Sequence, residues 1–107
     1  MEEIIYIGSY DNTIDLRLDS DGTAISTSSI TRIDANIGGV DVTSTNESTD
    51  PIRWAQLDYV EGEIRCKLGD ADGLVPFLGD MYIVVFDPTN PDGVVFGPIA
   101  VKAVQLP

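Results

Sequence analysis

Apolar and polar residues alternate with a period of two along much of this chain, the spacing of strands that bury one face and wet the other. The regular case is Thr13 to Asp19, where Ile14, Leu16 and Leu18 alternate with Asp15, Arg17 and Asp19. Asp19-Ser20-Asp21-Gly22 follows with residues that tolerate left-handed backbone geometry, and Thr23 to Ser26 starts a returning strand, so the segment reads as a hairpin. In Ser29 to Ile37 the uneven spacing of Ile30, Ile33 and Ile37 predicts a bulge or bend near Arg32. Gly38-Gly39 then turns the chain into Val40-Asp41-Val42-Thr43, which alternates again.

Thr43 to Pro51 offers nothing apolar to bury and reads as an exposed loop. Ile52, Trp54, Leu57 and Tyr59 fit either an irregular strand or a short helix opened by Asp50-Pro51. Alternation returns from Glu63 to Leu68, with Ile64, Cys66 and Leu68 inward. After a turn at Asp70-Ala71-Asp72-Gly73, an irregular connection from Leu74 to Leu78 and Gly79-Asp80, the run Met81 to Phe86 is apolar on both faces and predicts a central strand. Asp87-Pro88-Thr89-Asn90-Pro91-Asp92-Gly93 is a tight loop between that strand and a last apolar run, Val94 to Val104.

Outside Ile52 to Tyr59 nothing repeats with helical spacing, while about seven strands recur at roughly ten-residue intervals, the signature of a sandwich or barrel. The expectation is an all-β, immunoglobulin-like antiparallel sandwich forming a single domain over residues 1–107, with Trp54, Ile64, Cys66, Ile83 and Val85 in a core about 10 Å thick. Two segments are candidates for an exposed sheet edge: Glu3 to Ile7, whose Ile4-Ile5-Tyr6-Ile7 is too apolar to leave in water, and Ile99 to Val104.

Charge narrows the partners. Eighteen Asp and Glu against six Lys and Arg give a net charge of −12, which repels phosphate and anionic membranes and favours solubility and basic protein surfaces. No nucleic acid and no membrane are therefore expected as partners. Met1-Glu2-Glu3 lacks the basic start of a signal peptide, and Gly93 to Ala103, interrupted by Pro98 and Lys102, is too short to span a bilayer. Cys66 is the sole cysteine, so no intrachain disulfide forms, in keeping with folding in a reducing cytosol; its place in an alternating strand makes it a buried small hydrophobe.

Candidate chemistry is sparse. Without histidine, Ser-His and Cys-His nucleophile pairs cannot be assembled. Residue type alone leaves a two-carboxylate glycosidase open, but no spacing selects a pair. Asp19/Asp21, Asp70/Asp72 and Asp87/Asn90/Asp92 set oxygens beside a glycine as calcium loops do, yet none has the D-x-[DN]-x-[DN]-G-x5-E spacing, and Asp and Gly serve turn geometry equally well. Gly38-Gly39 lacks the spacing of a phosphate loop, and Asn46-Glu47-Ser48 fits a glycosylation acceptor only in a secreted chain. Trp54, Tyr59 and Tyr82 are the candidates for a sugar-binding platform, against their more ordinary use as core residues. The expectation is a non-enzyme with no catalytic, cofactor-binding or metal-ligating residues and no cofactor.

Three segments carry a likeness. Gly8-Ser9-Tyr10-Asp11-Asn12-Thr13 before the first alternating strand, Leu68-Gly69, and Tyr82 to Gly97 with its Asp87-x-x-Asn90-Pro91-x-Gly93-Val94 loop together resemble small proteins encoded among the virion genes of tailed bacteriophages. The resemblance covers most of the chain and implies an immunoglobulin-like accessory protein of the particle, a head decoration protein or a component of the tail or its fibres. It would reside in the virion after folding in the host cytoplasm, contact the major capsid or a tail protein, and form a homo-oligomer. The competing classes are a carbohydrate-binding or adhesion module and a free acidic inhibitor that mimics nucleic acid.

Overall fold

A computed structural model describes residues 3–9, 13–20, 23–25, 29–55, 62–69, 71 and 73–105. The chain is all-β. Its strands are β1 (Glu3–Ile7), β2 (Ile14–Arg17), β3 (Asp19–Ser20), β4 (Thr23–Ala24), β5 (Arg32–Ile37), β6 (Val40–Ser44), β7 (Ile52–Arg53), β8 (Glu63–Cys66), β9 (Phe77–Phe86) and β10 (Val94–Gln105). Five form one sheet in the order β1-β10-β9-β5-β6, three form a second in the order β2-β8-β7, and β3 and β4 make a small hairpin. All pairs are antiparallel except β1, which runs parallel to β10, so the large sheet is mixed.

The sandwich is closed by one apolar cluster. Ile5, Ile33, Ala35, Ile37, Met81, Ile83, Val85, Val101 and Ala103 from the large sheet meet Ile14, Ile64 and Cys66 from the small one, with Ile52, Trp54 and Leu68 beside them. Every residue assigned to the core from sequence, Trp54, Ile64, Cys66, Ile83 and Val85, is buried there. Burying several such aliphatic side chains, at about 1.5–3 kcal/mol each, is what holds the two sheets together.

Local pattern and observed pairing differ in several places. β2 pairs with β8, with Leu16 opposite Ile64, whereas the local hairpin joins β3 to β4. β5 keeps unbroken register with both neighbours, so there is no bulge near Arg32; Ile30 lies before the strand, and small Ala35 fills the inward position between Ile33 and Ile37. The irregularity falls in β10, between Phe96 and Ile99, around Gly97-Pro98. β9 begins at Phe77, so part of the expected connection belongs to the strand. Ile52–Arg53 is a strand and not a helix; the rest of that segment, with Leu57 and Tyr59, lies outside the described residues.

β10 is an inner strand. The expected edge at Ile99 to Val104 is instead covered on both sides, by β9 and by β1, because the N-terminal strand supplies the hydrogen bonds that a last strand would otherwise leave open. β1 is an edge, as its sequence predicts, and is anchored at its C-terminal end. The Gly8 amide donates to the Gly69 carbonyl at 2.7 Å, and a Cβ at Gly69 would overlap the carbonyl oxygens of Tyr6 and Ser9. Gly38 and Gly39 both have positive φ, as a two-residue turn between paired Ile37 and Val40 requires.

Candidate functional site

Strand alternation gives the large sheet two faces, and the small sheet covers only one. On the outer face β9 presents Leu78, Asp80, Tyr82, Val84 and Phe86; β10 presents Val95 beside Val84, and Lys102 beside Leu78; β1 presents Ile4 and Tyr6. Leu78 is 71% exposed, Val95 63%, Ile4 40% and Tyr82 39%. The run Met81 to Phe86 is apolar on both faces, as its sequence shows, but only Met81, Ile83 and Val85 enter the core. Centrality in the sheet's hydrogen bonding does not guarantee burial of both faces.

The two halves of this outer face differ in chemistry. Across β5 and β6 it is polar and internally satisfied. Arg32 donates from Nε to Asp34 Oδ1 at 3.0 Å and from Nη2 to Asp34 Oδ2 at 2.6 Å, and its guanidinium lies 4.3 Å from the centre of the Phe86 ring. The bond from Arg32 holds the Asp34 carboxyl below its ordinary value, against the opposing effect of partial burial. Asn36 Nδ2 donates to Asp41 Oδ1 at 2.7 Å. Across β9, β10 and β1 the face is mostly apolar, broken by Asp80 between Leu78 and Tyr82 and by Lys102 between Ile4 and Leu78, diagonal neighbours that form no ion pair with each other.

A cleft of about 270 Å³ lies on the inner side of the β9–β10 hairpin, lined by Ile25, Ser29, Val85, Asp87, Val94 and Phe96 among others. Asp87, its acidic wall, is engaged in the loop: Oδ1 accepts the Asn90 amide at 2.7 Å and Asn90 Nδ2 at 3.1 Å. The Asp87 side chain thus closes the four-residue turn to Asn90, a geometric use of Asp in such a loop. Asp19 accepts from Arg17 Nε at 3.0 Å, while Asp21, Asp70 and Asp72 lie outside the described residues. Among the described residues no three Asp, Glu or Cys side chains gather as metal ligands would.

The remaining sequence candidates are structural where they are described. Trp54 is 2% exposed and packs in the core, so it cannot join Tyr82 in a sugar platform; Tyr59 lies outside the described residues. Cys66 is fully buried, and burial first, then the fields of Asp15 and Glu3, push its thiol up to about 12, which keeps it protonated and unreactive at neutral pH. Asn46 Oδ1 accepts the Ser48 and Thr49 amides at 3.0 and 3.2 Å, and Asp50 Oδ2 accepts those of Thr45 and Asn46 at 2.9 and 3.0 Å, so the polar loop is organised by its own side chains. No helix among the described residues is long and apolar enough to cross a membrane.

The outer face escaped sequence reading because the period-two pattern marks two faces without saying which one finds a cover. The available signal was in β9 itself: Tyr82, Val84 and Phe86 are apolar at the positions opposite the core set, as a strand with a second contact surface would be. Comparison with protein-family models, with curated proteins and with solved structures returns no match.

Proposed function

We propose that this chain is a non-enzymatic structural protein of a bacteriophage particle, a capsid decoration or cement protein or a tail- or fibre-associated one, acting through protein–protein contacts. The observation that carries the reading is the apolar half of the outer sheet face, where Ile4, Leu78, Tyr82 and Val95 stand exposed on adjacent strands. Exposed apolar side chains gathered on one sheet face, with the charged Asp80 and Lys102 among them, are characteristic of protein contact sites. The likeness of the Tyr82 to Gly97 hairpin and of the N-terminal segments to virion accessory proteins supplies the setting, and the partner would be the major capsid protein or a tail protein.

Mass spectrometry of purified particles tests this directly. The chain is expected to co-purify, and its abundance against the major capsid protein separates a head decoration role, with hundreds of copies, from a tail role, with few. Its absence from washed particles, while it accumulates free in infected cells, would overturn the proposal.

A further inference from the structure

We infer that the cleft on the inner side of the β9–β10 hairpin takes the side chain of a lysine from a partner protein, with its methylenes against Ile25, Val94 and Phe96 and its ammonium at Asp87. The cleft is a different surface from the outer sheet face, and the inference is independent of the virion setting. Position, open hydrogen-bonding atoms, charge and size each narrow the occupant.

The cleft lies where the inner face of the large sheet outruns its cover. Val94 and Phe96 stand opposite buried Val85 and Ile83, so both belong to the inner side, yet Val94 is 37% exposed. Alternation through Met81, Ile83 and Val85 makes Asp87 the next inward position, and it lines the cleft with Val85. The walls are thus mainly apolar with one carboxylate among them. An uncharged apolar occupant would strip water from that carboxylate and leave it without a partner, which is costly.

The open polar atoms call for a donor. Asp87 Oδ1 already accepts two bonds, from the Asn90 amide and from Asn90 Nδ2. Among the described residues nothing donates to Asp87 Oδ2 or to Asn90 Oδ1, and both residues line the cleft. An ammonium is all donor and no acceptor, as these oxygens require. The paired parallel bonds that favour arginine need both carboxylate oxygens, whereas the compact charge of lysine needs one.

The field of the chain agrees. Its net charge of −12 attracts cations and repels both anions and further copies of itself, and among the described residues no Lys or Arg lines the cleft. A divalent metal ion needs several oxygen ligands, and among the described residues no three Asp, Glu or Cys side chains gather. Size fits as well. Four methylenes and an ammonium, each at ~30 Å³, the share of a water molecule, fill roughly 150 Å³. The cleft of about 270 Å³ holds them with room for waters that complete the ammonium's shell.

An amide NMR titration of the full chain with an N-acetylated, C-amidated tripeptide carrying a central lysine tests the inference. Shifts confined to the cleft, at Ser29, Asp87, Asn90 and Phe96, and a Kd of about 1 mM are expected for so small a probe. Norleucine in place of the lysine keeps the four-carbon stem without the ammonium and should weaken binding about tenfold or more, as should acetylation of the lysine. Asp87→Asn retains an acceptor for the Asn90 amide and should lose a similar factor, with a melting curve close to the parent's. Added sodium chloride should weaken binding of the lysine peptide and leave that of the norleucine peptide unchanged. No shift up to about 10 mM peptide, or shifts scattered over the acidic surface, would overturn the inference. So would a norleucine peptide that binds as tightly as the lysine one, a comparison that requires no variant to fold. n-Pentylammonium offered alone separates the sources: a cleft that takes the free amine and refuses the peptide is a small-molecule site, and the partner lysine is ruled out. Self-association of the chain that Asp87→Asn abolishes would identify a second copy as the occupant and overturn it likewise. None of these results bears on whether the chain co-purifies with particles, so the proposed function stands or falls separately.

Discussion

Ile64 and Asp15 lie on neighbouring strands of the small sheet and point to opposite sides, and the difference sets the cost of changing each. Ile64 is fully buried, so Ile64→Asp places an unpaired carboxylate in the core and is expected to unfold a domain whose whole stability is about 5–15 kcal/mol. Asp15 accepts two bonds from Arg65, at 2.9 and 3.2 Å, on the wet side. Exposed pairs of this kind contribute about 1 kcal/mol or less, so Asp15→Asn should barely move a urea melt. Asp50 offers a titration test. Its carboxyl is held below the ordinary 3.8, first by the Asn46 amide and then by that of Thr45. A depressed folded value means that the unfolded chain takes up the proton more readily, so the stabilisation is full above the unfolded value and disappears as pH falls through the folded one. Asp50→Asn should therefore be less stable than the parent at pH 7, and the gap should close on going from about pH 5 to pH 2, as read by denaturation at each pH. A gap that stayed constant would show that the Asp50 bonds do not depend on its charge.

At the scale of elements, β1 serves both the core and the edge. Ile5 points inward and is buried, while Ile4 points outward. Deleting residues 1–7 therefore removes a core side chain and uncovers β10 at once, and cannot separate folding from assembly. Point changes can. Ile5→Ala should cost about 2–4 kcal/mol, in the range of buried aliphatic truncations, whereas Ile4→Lys should leave the melt nearly unchanged. Equal losses in both variants would show that β1 has no outward face. The sequence identified Glu3 to Ile7 as an edge from its apolar character, but assigned Ile99 to Val104 the same role, because nothing in the last strand records that the first strand returns to pair with it in parallel.

The whole molecule carries its −12 at neutral pH, and its few described cations include Arg32 and Arg65, each committed to a neighbouring carboxylate. Self-repulsion of that size opposes the compact state and is screened by salt. Raising sodium chloride from 20 to 500 mM, values of about a tenth and a few times physiological ionic strength, should raise the thermal midpoint. A midpoint that fell with salt would mean that attractive pairs such as Arg32–Asp34 outweigh the net repulsion.

Period-two alternation, turn residues and composition are local properties, and they determined what the sequence could determine: an all-β chain, strands near their observed places at Ile14, Val40, Glu63 and Met81, the Asp87 to Gly93 hairpin loop, and the inward set Ile64, Cys66, Ile83 and Val85. The tertiary structure alone decided which strands pair, as β2 does with a strand some fifty residues away, and which apolar face receives a cover. The reason is physical. A strand's pattern fixes the composition of its two faces through its own backbone geometry, but a partner strand is chosen by burial summed over distant segments, and a three-stranded sheet laid on a five-stranded one leaves the outer residues Leu78, Tyr82 and Val95 to water or to another molecule.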